Sequence, residues 1–362
     1  MRILVLTTEA FGGHGGIAKY NRDLLTALCA MPECREVIAL PRLIPHETGP
    51  LSAKLRYVRA GLPGKWRYAF EALRASWGGC DLVVCGHINL LPVASWLARW
   101  CRVPLVLVIY GIDAWQPHRS ALVRRLLKRV TAVISISEIT RDRFCAWVPM
   151  PANRVHILPN AIDLARYGTA PKNPALLRRY NLTGKIVLMT LGRLSRDERY
   201  KGIEEVLELL PSLLRRYPNL VYLVVGDGTD RARLERKASA LGIAGHVVFT
   251  GFVPEAEKAD HYRLADAYVM PGRGEGFGFV FLEAMACGVP VVASKLDGSR
   301  EAVRHGALGI LVDPDNPAEL EAGIVQALAR QRAIPEGIEY FSEENFICRA
   351  QALVRQLVRP SP

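Results

Sequence analysis

The sequence predicts an α/β protein made of two similar halves, each built on a parallel sheet, and three observations carry that reading. Short apolar, β-rich runs alternate with helical patterns along the whole chain. The rhythm breaks once, in a polar, proline-bearing segment at about 165–183, and then restarts. A length of 362 residues favours two hydrophobic cores over one.

In the first half the expected strands are 3–8, 37–40, 81–86, 105–111, 132–137 and 155–160, with helical stretches at 16–30, 92–101 and 119–129 between them. In the second half they are 186–192, 221–228, 247–252, 267–272, 290–295 and 310–313. This gives a first domain over 1–168, a linker over 169–183 and a second domain over 184–342. Both are expected to be Rossmann-like and to face each other across a cleft. The stretch 343–362, helical over 343–358, is expected to pack back on the first domain.

Composition narrows the classes. Half of the residues are hydrophobic and 23% are charged, as in ordinary globular proteins. The start, MRILVLTTEAF, is too short in its apolar run for a signal peptide and meets Glu9 early. The region 92–112 is interrupted by Arg99, Arg102 and Pro104, so it reads as helix, turn and strand rather than a membrane span. The eight cysteines form no CxxC pair and no zinc spacing, which suits reduced thiols in a cytosolic protein.

The net charge of +12 is uneven. Residues 1–170 hold 22 Lys/Arg against 11 Asp/Glu, whereas 171–362 hold 25 against 24. A balance of +11 in one half argues for an anionic partner of that half, and a membrane surface or lipid phosphate is preferred. Nucleic acid is not expected, since no helix-turn-helix, RRM or zinc-finger pattern accompanies the charge. A basic face that meets only solvent is the alternative. The segment 65–77 places Trp66, Phe70, Leu73 and Trp77 on one helical stripe, with Lys65, Arg67 and Arg74 around it. That pattern suits either a helix lying in a membrane interface or a core-facing helix whose cations snorkel.

The most informative motif is EGFGFVFLE at 275–283. The glycines of a Gly276-Phe277-Gly278 turn let backbone N–H groups come close to a ligand, and the helix that follows adds partial positive charge. Two carboxylates beside an anion site, Glu275 and Glu283, are then free to accept hydrogen bonds from the hydroxyls of a sugar and a ribose. Arg193 and Lys201 come from a strand end and the loop after it, where they can neutralise a diphosphate and the charge that grows on it as it leaves.

The first βα turn, FGGHGG over 11–16, partly matches a dinucleotide fingerprint. The acidic residue expected after the second strand is missing from Ala39-Leu40-Pro41-Arg42, which sets a dehydrogenase aside. Gly226-Asp227-Gly228 reads as a tight turn, and backbone groups of Gly251-Phe252-Val253 could hold a base edge. The only D-x-D, at 313–315, lies late and outside these motifs, so no metal is assigned and no cofactor is called for.

Taken in order, the GGxGG loop, GR…KG, VGDG, GF and the E-x7-E inside EGFGFVFLEAMACGVPVVAS resemble the retaining glycosyltransferases of family 4, which have the GT-B fold. The resemblance covers nearly the whole chain. It implies that Glu283 binds the donor ribose, Arg193 and Lys201 the diphosphate, and Glu275 with the 276–278 amides the transferred sugar. It implies further that Gly15 and Gly16 approach phosphate and sugar from the first domain, which binds the acceptor. Many relatives carry a His-Gly pair where this chain has Tyr110-Gly111. His14, His87, Tyr110 and Asp113 are therefore candidates on the acceptor or sugar side.

The expected reaction moves a hexose from GDP-mannose or a UDP-hexose to an acceptor hydroxyl, with retention and without metal. The expected acceptor is a lipid-linked glycan in surface polysaccharide or glycolipid assembly, at the cytoplasmic face of the membrane. A soluble disaccharide synthase, a nucleotide-sugar epimerase on the same fold, or a non-catalytic nucleotide-sugar or lipid binder are the alternatives.

Overall fold

The structure is a computed structural model that describes residues 1–58 and 64–358. The chain forms two compact units, Met1–Ala161 with the chain from Glu343 onward, and Ile162–Ser342. Each unit is a parallel sheet clothed by helices.

The first unit carries β1 (Arg2–Thr7), α1 (Gly16–Cys29), β2 (Glu36–Pro41), β3 (Leu55–Tyr57), α2 (Lys65–Ser76), β4 (Leu82–Cys85) and α3 (Leu91–Cys101). It continues with β5 (Leu105–Ile109), α4 (Ala121–Leu126), β6 (Ala132–Ser135), α5 (Glu138–Cys145) and β7 (Val155–Ile157). The strand order is β3-β2-β1-β4-β5-β6-β7. Every paired strand runs parallel, from Arg2 opposite Glu36 to Ser135 opposite Ile157. With both faces covered, the strands read as continuous apolar runs, and all of residues 105–109 are buried. Among the strands of this unit, β3 escapes the sequence reading, because three residues with Arg56 exposed between Leu55 and Tyr57 carry too little pattern.

The chain moves from β1 to β2 one way across the sheet and from β4 to β7 the other way. Right-handed crossovers therefore put α1 on one face and α3, α4 and α5 on the opposite one. Tyr68 of α2, Leu97 of α3, Val123 of α4 and Phe144 of α5 share one core with Leu4, Val83 and Leu107 of the strands. The final helix, Glu343–Val358, joins α1: Tyr20 meets Phe346 edge-on at 5.5 Å, and Gln351 donates to the Ala27 carbonyl at 3.2 Å.

The second unit holds α6 (Pro174–Arg179), β8 (Ile186–Leu191), α7 (Ile203–Arg216), β9 (Leu220–Val225), α8 (Arg231–Ala240) and β10 (Val247–Phe249). Then come α9 (Lys258–Leu264), β11 (Ala267–Met270), α10 (Phe279–Ala286), β12 (Val291–Ser294), α11 (Ser299–Ala302), β13 (Ile310–Val312) and α12 (Pro317–Ala329). The closing helix of the chain, Glu343–Val358, is α13. The second sheet is ordered β10-β9-β8-β11-β12-β13. Residues 169–183 fall inside this unit rather than between the two. Lys172 pairs with Asp266 at 2.7 Å, and Asn173 both caps α6 and donates to Asp260 at 3.0 Å. Among the described residues no helix is long and apolar enough to cross a membrane.

Candidate functional site

In a parallel α/β sheet the loops after the strands gather at one edge, and ligands bind where the strand order reverses. In the second unit that reversal lies between β8 and β11. Arg193 and Lys201 follow β8, Glu275 follows β11, and Phe252 follows β10, so one edge collects them all.

Lys201 reaches back over Gly192 and sets its ammonium 2.6 Å from Glu198 Oε2. Arg193 pairs with the same carboxylate while 81% of its side chain stays exposed. Glu198 thus holds two cations at the place where the sequence reading put a diphosphate. Gly226 presses against the Gly192 carbonyl so closely that a Cβ there would overlap it, and at φ +134° the site suits only glycine. The Gly226 N–H donates to Gly251 O at 3.1 Å, which ties the two turns together and leaves the Phe252 ring 78% exposed beside them.

Glu275 is held by its backbone. Its N–H donates to Asp297 Oδ2 at 2.9 Å, and its carbonyl accepts from Gly298 at 2.8 Å. Burial raises the Glu275 carboxyl above the ordinary range, Lys201 opposes that shift, and Asp297 and Glu198 add to it. Lys201 and Glu275, far apart in sequence, therefore act on each other. The Gly276 N–H is spent on the Glu275 carboxylate, and the Phe277 ring packs in the core on Phe341 at 5.6 Å. Phe277 can thus offer a ligand only its backbone, like the glycines on either side, because its apolar ring gains more from burial than from solvent.

Glu283 lies on α10 with 4% of its side chain exposed. Its Oε2 accepts the Tyr262 hydroxyl at 2.7 Å, Tyr167 bonds the same carboxylate, and Lys258 stands 4.0 Å from Oε1. This partly sealed acceptor retains capacity at Oε1, since a carboxylate has about four lone-pair sites. The late D-x-D is engaged elsewhere: Asp315 pairs with Arg273 at 2.8 Å.

In the first unit the reversal lies between β1 and β4. Gly15 sits ahead of α1 at φ +88° and has open space where a Cβ would stand. Left-handed φ explains the glycine, and the exposed Gly15–Gly16 backbone leaves the helix N-terminus accessible. His14 is exposed, with its ring 4.4 Å from that of His46. His87 follows β4 and caps the turn after it, its Nδ1 accepting from Asn89 N at 3.1 Å. In the neutral ring the proton therefore sits on Nε2, and burial together with His118 lowers the pKa. Asn89 Oδ1 is 2.8 Å from His118 Nε2, so the two histidines share one bridge.

Tyr110 occupies the position of the expected histidine but does not present its hydroxyl to a ligand. The ring is buried, and the hydroxyl lies 2.7 Å from Asn21 Oδ1 and 3.0 Å from the Gly86 carbonyl. A phenol reaches further than an imidazole and finds partners inside the fold. Asp113 keeps one carboxylate oxygen without a partner in this loop. Its Oδ1 accepts the Tyr110 N–H at 3.2 Å, Oδ2 is sealed from solvent without a hydrogen-bond partner, and burial pushes its pKa up to about 7.

Sequence reasoning missed Asp297, Glu198, Asn21 and Tyr262. Asp297 had a usable signal, an Asp-Gly pair directly after a strand. Asn21 and Tyr262 act through contacts with residues distant in sequence, which only folding brings together, whereas Glu198 pairs locally with Arg193 and Lys201.

Residues 178–343 match the family described as glycosyl transferases group 1, and residues 14–166 match glycosyltransferase family 4. Over 222 residues the chain is 38% identical to a GDP-mannose-dependent alpha-(1-6)-phosphatidylinositol monomannoside mannosyltransferase of Mycolicibacterium smegmatis, covering 59% of this chain and 57% of that protein. The chain thus spans a little over half the length of that relative. A phosphatidyl-myo-inositol mannosyltransferase of Mycobacterium leprae is 35% identical over 379 aligned positions, covering 98% of this chain and 96% of the relative. Among solved structures, Anabaena Alr3699/HepE with UDP superposes with a TM-score of 0.76 at 21% identity, covering 99% and 100% of the two chains. The lipopolysaccharide outer core galactosyltransferase WaaB gives 0.75 at 16% identity, covering 98% and 99%. At these identities the structural likeness establishes the fold.

Proposed function

The chain belongs to glycosyltransferase family 4 and has the GT-B fold, and from that premise we propose that it transfers a mannosyl group from GDP-mannose to a hydroxyl of a lipid-linked acceptor. The observation that carries the reading is the edge of the second sheet, where Arg193, Lys201, Glu275 and Phe252 converge, with Glu283 on the following helix. GDP-mannose is preferred over a UDP-hexose because the relatives that show the family are named for mannosyl transfer. Those same relatives support a phosphoinositol lipid or its mannosides as acceptor.

In this reading Phe252 stacks on the base, and Glu283 accepts a ribose hydroxyl through Oε1. Lys201 and Arg193 leave Glu198 for the diphosphate, and Glu275 accepts a hydrogen bond from the transferred sugar. Gly15 and Gly16, with Asp113 and His87 Nε2–H, serve the phosphate and acceptor side. The bond between the sugar C1 and the diphosphate breaks while the acceptor oxygen bonds C1 from the same face. The acceptor proton passes to the departing phosphate, so products are GDP and an α-mannoside with retained configuration. The chain's contribution is orientation and charge stabilisation by fixed cations, without metal.

The acceptor being lipid-linked, the basic first half is proposed to meet an anionic membrane surface, with the protein held peripherally at the cytoplasmic face. Glu283→Ala and Lys201→Ala should each abolish transfer in protein that remains folded at the assay temperature, and the product anomer read by NMR should be α. Near-normal turnover in both variants overturns the reading. A β product refutes retention, and loss of activity on chelation refutes metal independence. Donor turnover without an acceptor product would favour the epimerase alternative.

A further inference from the structure

The sequence left α2 balanced between a core-facing and a surface-lying helix, and the structure decides it. Tyr68, Ala72 and Ala75 face the core, while Trp66 is 90% exposed, Phe70 63% and Trp77 82%. The Lys65 side chain lies outside the described residues. Helix α3 packs beside α2 and carries a second aromatic pair on its outer side. Trp96 and Trp100 are 45% and 68% exposed, with ring centroids 6.4 Å apart. Four of the six tryptophans in the chain thus stand in solvent on, or at the end of, two adjacent helices. A monomeric soluble protein rarely leaves such an apolar patch without a use.

The charge around these rings selects the occupant. Arg67, Arg74, Arg99 and Arg102 are all exposed on or beside the two helices. Between Asp81 and Glu138 the chain has seven Lys/Arg and a single acid, Asp113, which sits in the loop after β5 rather than on an outer helix. Helix α4, packed against α3, extends the basic layer and opens on a cavity of about 220 Å³. That cavity has apolar walls from Leu127, Trp147 and Met150 and a rim of Arg124, Lys128 and Arg154. A second copy of this chain would have to bury like charges against each other, which costs energy. An anionic bilayer instead offers phosphates for the guanidinium groups and an interface that suits tryptophan, with an apolar ring below and an N–H facing water.

We propose that the outer layer formed by α2, α3 and α4 is a bilayer-docking face, in which Trp66, Trp77, Trp96 and Trp100 enter the interface of an anionic phospholipid membrane. The arginines around them bind headgroups, and the cavity at the end of α4 seats one headgroup phosphate. This rests on the lipid-linked acceptor reading for its purpose and on exposure and charge for its evidence.

The test floats the full chain with vesicles of phosphatidylcholine containing about one-third phosphatidylglycerol, and with phosphatidylcholine alone. The parent should bind the anionic vesicles, release in high salt, and show tryptophan emission shifted to the blue and quenched by brominated lipid. A variant carrying Trp66→Ser, Trp77→Ser, Trp96→Ser and Trp100→Ser should bind at least tenfold more weakly, with an unchanged melting temperature because the replaced side chains are exposed. Arg67→Glu with Arg99→Glu should do the same, each charge contributing roughly a few-fold near an anionic surface. Absence of parent binding, unaltered binding by the tryptophan variant, or conversion of a dimer to a monomer by that variant overturns the proposal. Transfer to a water-soluble acceptor mimic separates the two readings. If transfer persists without vesicle binding, only the docking face falls; if binding persists without transfer, only the glycosyltransfer reading falls.

Discussion

Asp297 accepts the backbone N–H of Glu275 through Oδ2 at 2.9 Å, and so fixes the loop that carries the Glu275 carboxylate. The same buried side chain takes the Ser299 N–H at 3.0 Å and the Ser299 hydroxyl at 2.6 Å through Oδ1. One aspartate thus joins the loop after β11 to the start of α11. Asp297→Ala leaves buried donors without partners and should cost about 3 kcal/mol of stability, given roughly 1–3 kcal/mol per orphaned group. Urea denaturation measures this. The Michaelis constant for the donor should rise as the Glu275 loop loosens, and Asp297→Asn should recover part of both losses.

Glu198 pairs with both Arg193 and Lys201, the cations proposed to hold the diphosphate. Glu198→Gln removes that competing anion, so the affinity for GDP should rise several-fold, read by calorimetry. Weaker binding would mean that Glu198 positions the cations instead of competing for them.

The two cations should separate in stability although both lower activity. Arg193 is 81% exposed, so Arg193→Ala should change unfolding free energy by no more than about 0.5 kcal/mol. Lys201 has 12% of its side chain exposed and faces two carboxylates, so Lys201→Ala should cost about 3 kcal/mol. In each, kcat should fall by roughly 10²–10³, the usual loss of one charge-stabilising group.

Asp113 gives a pH signature. Its folded carboxyl, raised to about 7 from 3.8, favours the protonated form. Folded protein therefore binds more protons than unfolded protein between those values. The stability this confers is complete below about 4 and lost as pH rises through 7. Asp113→Asn should remove that slope, leaving the variant more stable than the parent at pH 8 and similar to it at pH 4. Thermal melts across that range check the sign.

Tyr110→Phe tests whether the residue in the histidine position takes part in chemistry. Its hydroxyl is engaged by Asn21 and Gly86, so loss should cost about 1 kcal/mol and leave kcat within about twofold. His87→Ala, which removes an Nε2–H at the same edge, should lower activity with acceptor more than donor binding.

The alternation of apolar runs and helical patterns was enough to place two parallel-sheet units, because burial on both faces leaves an unmistakable apolar strand signal. The short motifs could be located at strand ends from sequence as well, since a glycine turn, a cation and a carboxylate each carry a local signal. β3 stayed hidden, being three residues long. The residues that hold the motifs in place stayed hidden as well. Asn21 reaches Tyr110, Asp297 reaches Glu275 and Tyr262 reaches Glu283 across long stretches of chain, and no spacing rule announces such contacts. Sequence could show that Trp66, Phe70, Leu73 and Trp77 form a stripe along 65–77. It could not say which side of that helix meets the sheet, because Tyr68 and Ala72 offered an equally regular inner face. Tertiary packing chose the small and hydrogen-bonded residues for the core, with the Tyr68 hydroxyl donating to Leu40 O at 2.8 Å, and so turned the tryptophans outward.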